Sequence, residues 1–188
     1  AEAVVKVVGM EKPFAWSFRN HVQSVLTKGG CNSGACHGAL AGKKGFRLSL
    51  AGYDPVGDYY FITRQARSRR VVLGDPGRSL LLTKPTGAIP HKGGIRFNTD
   101  SPDYRVIAEW IAAGAPEPRD TDPKLNKLEI LPAAAVLKPG AKQQLIVLAH
   151  FNDGHVEDVT RWAKYTSTLE SVAQVGTSGL VDVTGHGE

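Results

Sequence analysis

Two residue types are nearly missing from this sequence of 188: it holds two cysteines and one methionine. Two cysteines cannot supply a disulfide framework for a chain of this size, which excludes the disulfide-scaffold class. No apolar run approaches the roughly 20 residues that a membrane-spanning helix needs, so no membrane span is expected. Nucleic-acid recognition motifs are also missing, and the basic residues are dispersed. A formal net charge of +5 therefore permits an acidic partner and argues against nucleic acid. The chain starts at Ala1 with neither an initiator Met nor a recognisable signal peptide. It reads as a mature or excised fragment, a form that allows for an export signal already removed. What is present is the composition of a soluble globular protein, somewhat rich in Gly and Pro. The length suits one large or two small domains.

Hydrophobic periodicity divides the chain. Residues 1–9 read as a β-strand with no partner nearby, so that it must pair at a distance. From Phe14 the pattern becomes helical, with Phe18, Val22, Val25 and Leu26 on one face and Gly29-Gly30 as the stop. Three further helix starts place a capping residue before proline: Asp54-Pro55, Asp75-Pro76 and Ser101-Pro102. The first helix should run to about Arg67, and the second from Pro76 to Lys84. The third carries Tyr104, Ile107, Ala108 and Ile111 on one face and closes at Gly114 and Pro116. Residues 13–116 are thus expected to be mostly helical, after an N-terminal strand or tail at 1–12. A Pro-rich polar linker spans 117–125. Beyond it, in 126–188, short strands alternate with turns such as Asn152-Asp153-Gly154. They suggest a small β-sandwich with Trp162 as core anchor, truncated by about one strand.

Both cysteines lie in Cys31-Asn32-Ser33-Gly34-Ala35-Cys36-His37-Gly38. Two cysteines followed directly by histidine is the order of covalent haem attachment. The thiols add to the two porphyrin vinyl groups, and the histidine sits under the iron. The usual spacing leaves two residues between the cysteines, whereas four stand here. Asn32 to Ala35 are small and include a glycine, so the extra residues can loop out at little steric cost. A disulfide between Cys31 and Cys36 would leave His37 unexplained, and a zinc site would lack a fourth ligand.

A haem held by His37 has one more axial position. Met is the usual occupant in electron carriers, but the single methionine, Met10, stands upstream of the first helix. Among the other histidines, His150, His155 and His186 fall in the β region and read as solvated. His21 reads as a surface helix residue. His91 lies between glycines in Gly87-Ala88-Ile89-Pro90-His91-Lys92-Gly93-Gly94, where the backbone can approach a flat cofactor. It is the expected second ligand, the alternative being a surface histidine over a five-coordinate iron. Arg64, Arg67, Arg69 and Arg70, with Lys92 and Arg96, are candidates for neutralising propionates or docking an acidic partner. A solvated helix end is the favoured account of the arginines, because cations suit helix C-termini anyway.

Residues 14–116, with a terminal helix reading Glu109-Trp110-Ile111-Ala112-Ala113-Gly114-Ala115-Pro116, resemble a class I cytochrome c domain. More narrowly, Gly30 to Gly38, Gly45-Phe46-Arg47-Leu48-Ser49-Leu50 and Tyr53-Asp54-Pro55 resemble the planctomycete-type cytochrome c domains, in which a four-residue gap is normal. Residues 126–188, with Asp158-Val159-Thr160-Arg161-Trp162-Ala163, resemble a group 2 bacterial Ig-like domain. The resemblance implies a multidomain fold, a mainly α class I cytochrome c-like domain followed by a small all-β Ig-like sandwich. It also implies haem c, a place outside the cytoplasm (periplasmic or otherwise extracytoplasmic) and electron transfer within a larger protein.

The expected function is therefore an electron-transfer haem module rather than an enzyme. It would carry one haem c on Cys31, Cys36 and His37, with His91 opposite, and exchange electrons with a protein donor or acceptor. Bis-histidine ligation implies a lower potential than His/Met. The competing readings are a haem-based sensor or peroxide-reactive module with an open sixth site, and a haem-bearing adhesion or polysaccharide-binding fragment. Strand 1–9 adds the expectation of strand exchange, within the chain or with a neighbour.

Overall fold

The computed structural model describes residues 4–8, 11 and 14–187. The chain forms two compact units, Ala1–Gln23 with Asp54–Pro118, and Ser24–Tyr53 with Arg119–Glu188.

In the first unit, local capping chemistry sets the helix starts. The Ser17 hydroxyl accepts the Asn20 N–H at 3.2 Å and opens a π-helical turn, Phe18–Val22. That turn runs into α1 (Gln23–Lys28), which leads the chain into the second unit. Asp54 accepts the Gly57 N–H at 2.9 Å ahead of α2 (Pro55–Thr63). Asp75 precedes only a 3₁₀ turn, Pro76–Arg78, and after Ser79 comes the single turn of α3 (Leu80–Thr83). Ser101 accepts the Tyr104 N–H at 3.2 Å and starts α4 (Pro102–Ala112). After Asp54, Asp75 and Ser101, proline takes a helical position whose N–H would lack a partner anyway.

These short elements meet in an aromatic core. The Phe18 ring centre lies 5.4 Å from that of Trp110 and 5.5 Å from that of Tyr59. Ile62, Leu82, Val106, Ile107 and Ile111 are buried as well. Both polar tips find backbone acceptors: Trp110 Nε1–H donates to Pro116 O at 3.0 Å and Tyr59 Oη to Ala115 O at 2.9 Å. A buried Trp or Tyr needs such a partner to offset desolvation.

The second unit carries two small antiparallel sheets. One has the order β1–β3–β4, with β1 Leu125–Leu131, β3 Ile146–Phe151 and β4 Val156–Asp158. The other has the order β2–β6–β5, with β2 Lys142–Gln144, β5 Ala173–Val175 and β6 Leu180–Val183. Alternation along β3 buries Val147, Ala149 and Phe151. The β3–β4 turn is Asn152-Asp153-Gly154, with Gly154 at φ 89°. Gln144 and Ile146 belong to different sheets, so one residue, Leu145, carries the chain across; its N–H donates to Gly179 O at 2.9 Å. The hydrophobic pattern alone reads Gln144 to Phe151 as one continuous strand.

This architecture overturns the expected fold class. Helices of all kinds occupy 23% of the described residues and strands 16%, so a mainly α class I cytochrome c-like domain is not what the chain forms. The excess helix was lost in the loops. Ala66, Arg67 and Ser68 take φ of 54°, 59° and 56°, left-handed values that end α2 at Thr63 rather than Arg67. Nor is the β region an independent all-β Ig-like sandwich, since its compact unit also contains residues 24–53 with most of α1. Trp162, the expected core anchor, is only half-buried. Of the strand expected over 1–9, residues 4–8 lie in no strand and are exposed. Residues 1–3 and 9, and Met10, lie outside the described residues.

No helix among the described residues is long and apolar enough to cross a membrane.

Candidate functional site

The cysteine–histidine loop belongs to the second unit and hangs directly from the end of α1. Gly30 takes φ 70°. Its N–H donates to Thr27 O at 3.0 Å and the Cys31 N–H to Leu26 O at 2.8 Å. Paired bonds of this kind are the Schellman closure of a helix, which needs a left-handed residue before the last donor. Cys31 is thereby set at a fixed position, buried beside buried Leu26. The end of α1 is held in turn by Lys28, whose ammonium donates to Ala163 O and, at 2.8 Å, to Thr177 O.

Five more backbone bonds fold the loop. Ser33 N–H reaches Gly30 O at 3.2 Å, Cys36 N–H reaches Ser33 O at 3.0 Å, and Gly38 N–H reaches the same Ser33 O at 2.9 Å. The His37 N–H donates to Cys31 O at 2.9 Å, and its carbonyl accepts the Leu48 N–H at 2.8 Å. Buried Asn32 donates through Nδ2 to Thr27 Oγ1 at 2.8 Å. Gly38 is obligatory, because a Cβ there would stand 2.1 Å from Asn32 O. Gly34 is not, since a Cβ there meets nothing within 4 Å.

The imidazole of His37 is oriented by a small turn further on. Lys43 and Phe46 bridge each other, with Lys44 at φ 50° and Gly45 at φ 73°. Both left-handed values together make a tight hairpin-type turn. The Phe46 carbonyl lies 3.1 Å from His37 Nδ1, and the two rings are 4.5 Å apart. A carbonyl oxygen only accepts, so Nδ1 carries the proton and Nε2 carries the lone pair. A hydrogen bond from one ring nitrogen to a carbonyl leaves the other nitrogen of a histidine for a metal and raises its basicity.

His91 lies in the first unit, in a turn closed by Gly94 N–H to His91 O at 2.9 Å. Its Nδ1 sits 3.0 Å from Gly94 O, so it too is protonated at Nδ1. The ring folds against Gly93, where an added Cβ would meet Cε1 at 2.7 Å.

Other expected roles change. His21 is buried rather than on the surface, its ring 5.3 Å from Phe14 and 5.2 Å from Trp16. Its Nδ1 accepts the Ser17 N–H at 2.9 Å, which completes the helix cap and assigns the opposite tautomer. In the arginine cluster Arg64, Arg67 and Arg69 are exposed. Arg70 is buried and donates to Phe61 O at 2.9 Å and Gln65 O at 3.2 Å, so it serves the C-terminal end of α2. Burial, with Arg69 adding repulsion, lowers its affinity for the proton. His150 pairs with Glu129 at 2.7 Å, and His155 contacts Asp153 and Glu157, so neither is simply solvated.

Three of the four expected site residues, Cys31, Cys36 and His37, share one loop. Both cysteines are thiols. Among the described residues no group of three or more His, Cys, Asp or Glu side chains is disposed to hold a bare metal ion. A haem iron asks less of the protein: one imidazole nitrogen beneath the iron and thiols for the porphyrin rim. The His37 tautomer fits that demand. Sequence reasoning missed Phe46, Asn32 and Thr27 as supports of the loop; the signal within reach was Lys44-Gly45, a pair suited to a tight turn. No family model matches the chain, and no curated protein matches it.

Proposed function

We propose that the chain is a haem c-bearing electron-transfer module that works outside the cytoplasm. Cys31 and Cys36 would hold the haem as thioethers, and His37 would bind the iron through Nε2. When bound, the haem supplies one-electron chemistry, and the protein sets its potential through axial ligands and their hydrogen bonds. The observation that carries this reading is the His37 Nδ1–H donated to Phe46 O, in a loop where two cysteines and a histidine occur in the order of haem attachment. A carbonyl partner lends the imidazole electron density without a second titrating group, which suits a ligand that must stay bound in both oxidation states. The likeness of residues 30–38 to planctomycete-type haem segments supports the same reading. His91 is the proposed second ligand, resting on its Nδ1–H tautomer and its glycine-flanked turn. The electron partner is a protein, and the exposed N-terminal segment is a candidate for strand exchange.

The test is covalent haem. Chain made with a c-type haem-attachment system and an export signal should keep its haem through denaturing electrophoresis, and Cys31→Ser/Cys36→Ser should lose it. Absence of covalent haem in the unsubstituted chain defeats the proposal. In the reduced state the protein should bind carbon monoxide poorly, and His91→Ala should bind it readily. Ready binding by both would replace the electron carrier with a module whose sixth site is open.

A further inference from the structure

The sheet β1–β3–β4 ends in an edge that its own residues do not finish. β1 pairs only with β3 among the described residues. Leu128 and Ile130 stand opposite Ala149 and Val147, on the face where β3 is buried. They are nevertheless 55% and 50% exposed. An apolar face thus continues to the edge strand and stops uncovered. Natural edges are usually blunted by lysine, proline or a bulge. β1 has such devices at its start, in Lys127 and the register shift between Leu125 and Lys127. From Leu128 to Leu131 the strand carries no positive charge and no bulge. The outer strands β2, β4 and β5 are each three residues long, whereas β1 has seven.

The same chain carries a segment with the matching pattern. Val4-Val5-Lys6-Val7-Val8 lies in no element, and Val5 and Val7 are 81% and 68% exposed. β-Branched residues favour extended backbone, and alternation puts Val5 and Val7 on one side with Lys6 on the other. β1 repeats the scheme, with Leu128 and Ile130 on one side and Glu129 on the other. Valines meeting the uncovered leucine and isoleucine therefore bring Lys6 to the side of Glu129.

We propose that Val4–Val8 of one copy of this chain adds as a strand to β1 of a second copy. Val5 and Val7 cover Leu128 and Ile130, and Lys6 lies on the Glu129 side. Each copy donates and accepts, which gives a two-fold dimer by reciprocal strand exchange. The inference does not depend on the haem reading.

Sedimentation equilibrium over a range of concentrations tests it on the full chain. The apparent mass should rise toward that of a dimer. Val5→Lys/Val7→Lys, at positions already exposed, should weaken association by about tenfold or more while the circular dichroism stays unchanged. Lys6→Glu should weaken it less, and Lys6→Glu/Glu129→Lys should restore it. A synthetic peptide of residues 1–9 added to the Val5→Lys/Val7→Lys chain should perturb the amides of Leu128 and Ile130. A monomer at every concentration overturns the proposal, as does a dimer indifferent to the valine substitutions. A lowered melting temperature at constant monomer mass would assign the strand to its own chain and overturn exchange between copies.

Discussion

His37 and His91 are the same ring in the same tautomer, held in two different ways. Each donates Nδ1–H to a backbone carbonyl, at 3.1 and 3.0 Å. For His37 the acceptor comes from a separate turn nine residues away, whose phenylalanine ring also packs on the imidazole. The peptide groups of His37 are tied in addition to Cys31 and Leu48. For His91 the acceptor is Gly94, three residues away in the turn that His91 itself begins. The first ring is bonded to a separate turn, the second to the turn it begins. The same tautomer is thus specified by a carbonyl nine residues away in one case and three residues away in the other.

The sharpest way to break this comparison is through glycine. Gly38→Ala forces a Cβ to 2.1 Å from Asn32 O, a backbone atom that cannot step aside. It should cost about 3 kcal/mol or more in urea unfolding, at the upper end of overpacking effects. Gly93→Ala meets only movable side-chain atoms, the ring of His91 and, at 3.3 Å, Arg96 Nη2. It should turn that ring away from Gly94 and change stability by less than about 1 kcal/mol. Gly34→Ala, which meets nothing, should fall within about 0.5 kcal/mol of the parent. Equal costs at positions 38 and 93 would erase the distinction.

A gentler test reads the rings directly. Long-range proton–nitrogen spectra of the haem-free chain above pH 8 should show His37 and His91 protonated at Nδ1 and His21 at Nε2. If His37 shows the solution mixture instead, the Phe46 carbonyl does not hold it.

The smallest effect concerns the nature of the partner. Carbonyls do not titrate in the accessible range, but the carboxylate beside His155 does. Burial works to raise the Asp153 carboxyl, yet the bonds from the His155 N–H and ring, with the charge of that ring, outweigh it and hold Asp153 below its ordinary 3.8. A depressed carboxyl contributes stability that is present above the unfolded value and is lost as pH falls through the folded one. Local stability of the β3–β4 hairpin should therefore decline only in acid. A carbon NMR titration of Asp153 should give a midpoint below 3.8 that moves part of the way back in His155→Gln, which keeps the backbone N–H.

How much of this was legible depended on range. The helix starts at Asp54 and Ser101 are written in a cap and its neighbours, and the cap bonds form within three residues; the Ser17 cap, without a proline after it, was not read. The strand at Leu180–Val183 was legible for the same local reason, an alternating run between turn residues. The end of α2 was not, because three successive left-handed residues that are not glycine leave no mark in composition. Arg70 looked like one of four surface cations, and only folding shows that it serves a helix end. At the site, the residue order announced the thiols and His37. The acceptor for His37 is a main-chain oxygen, and a main-chain oxygen has no letter in the sequence.

Leu145 imposes a constraint on mispairing. One residue separates the Gln144–Leu180 pair of one sheet from the Leu131–Ile146 pair of the other. In a strand, a slip by one residue moves every side chain to the opposite face. Because β2 and β3 are joined without slack, a slip of β2 against β6 would drag β3 and turn Val147, Ala149 and Phe151 outward. The two sheets therefore proofread each other: neither can settle in a wrong register unless both do.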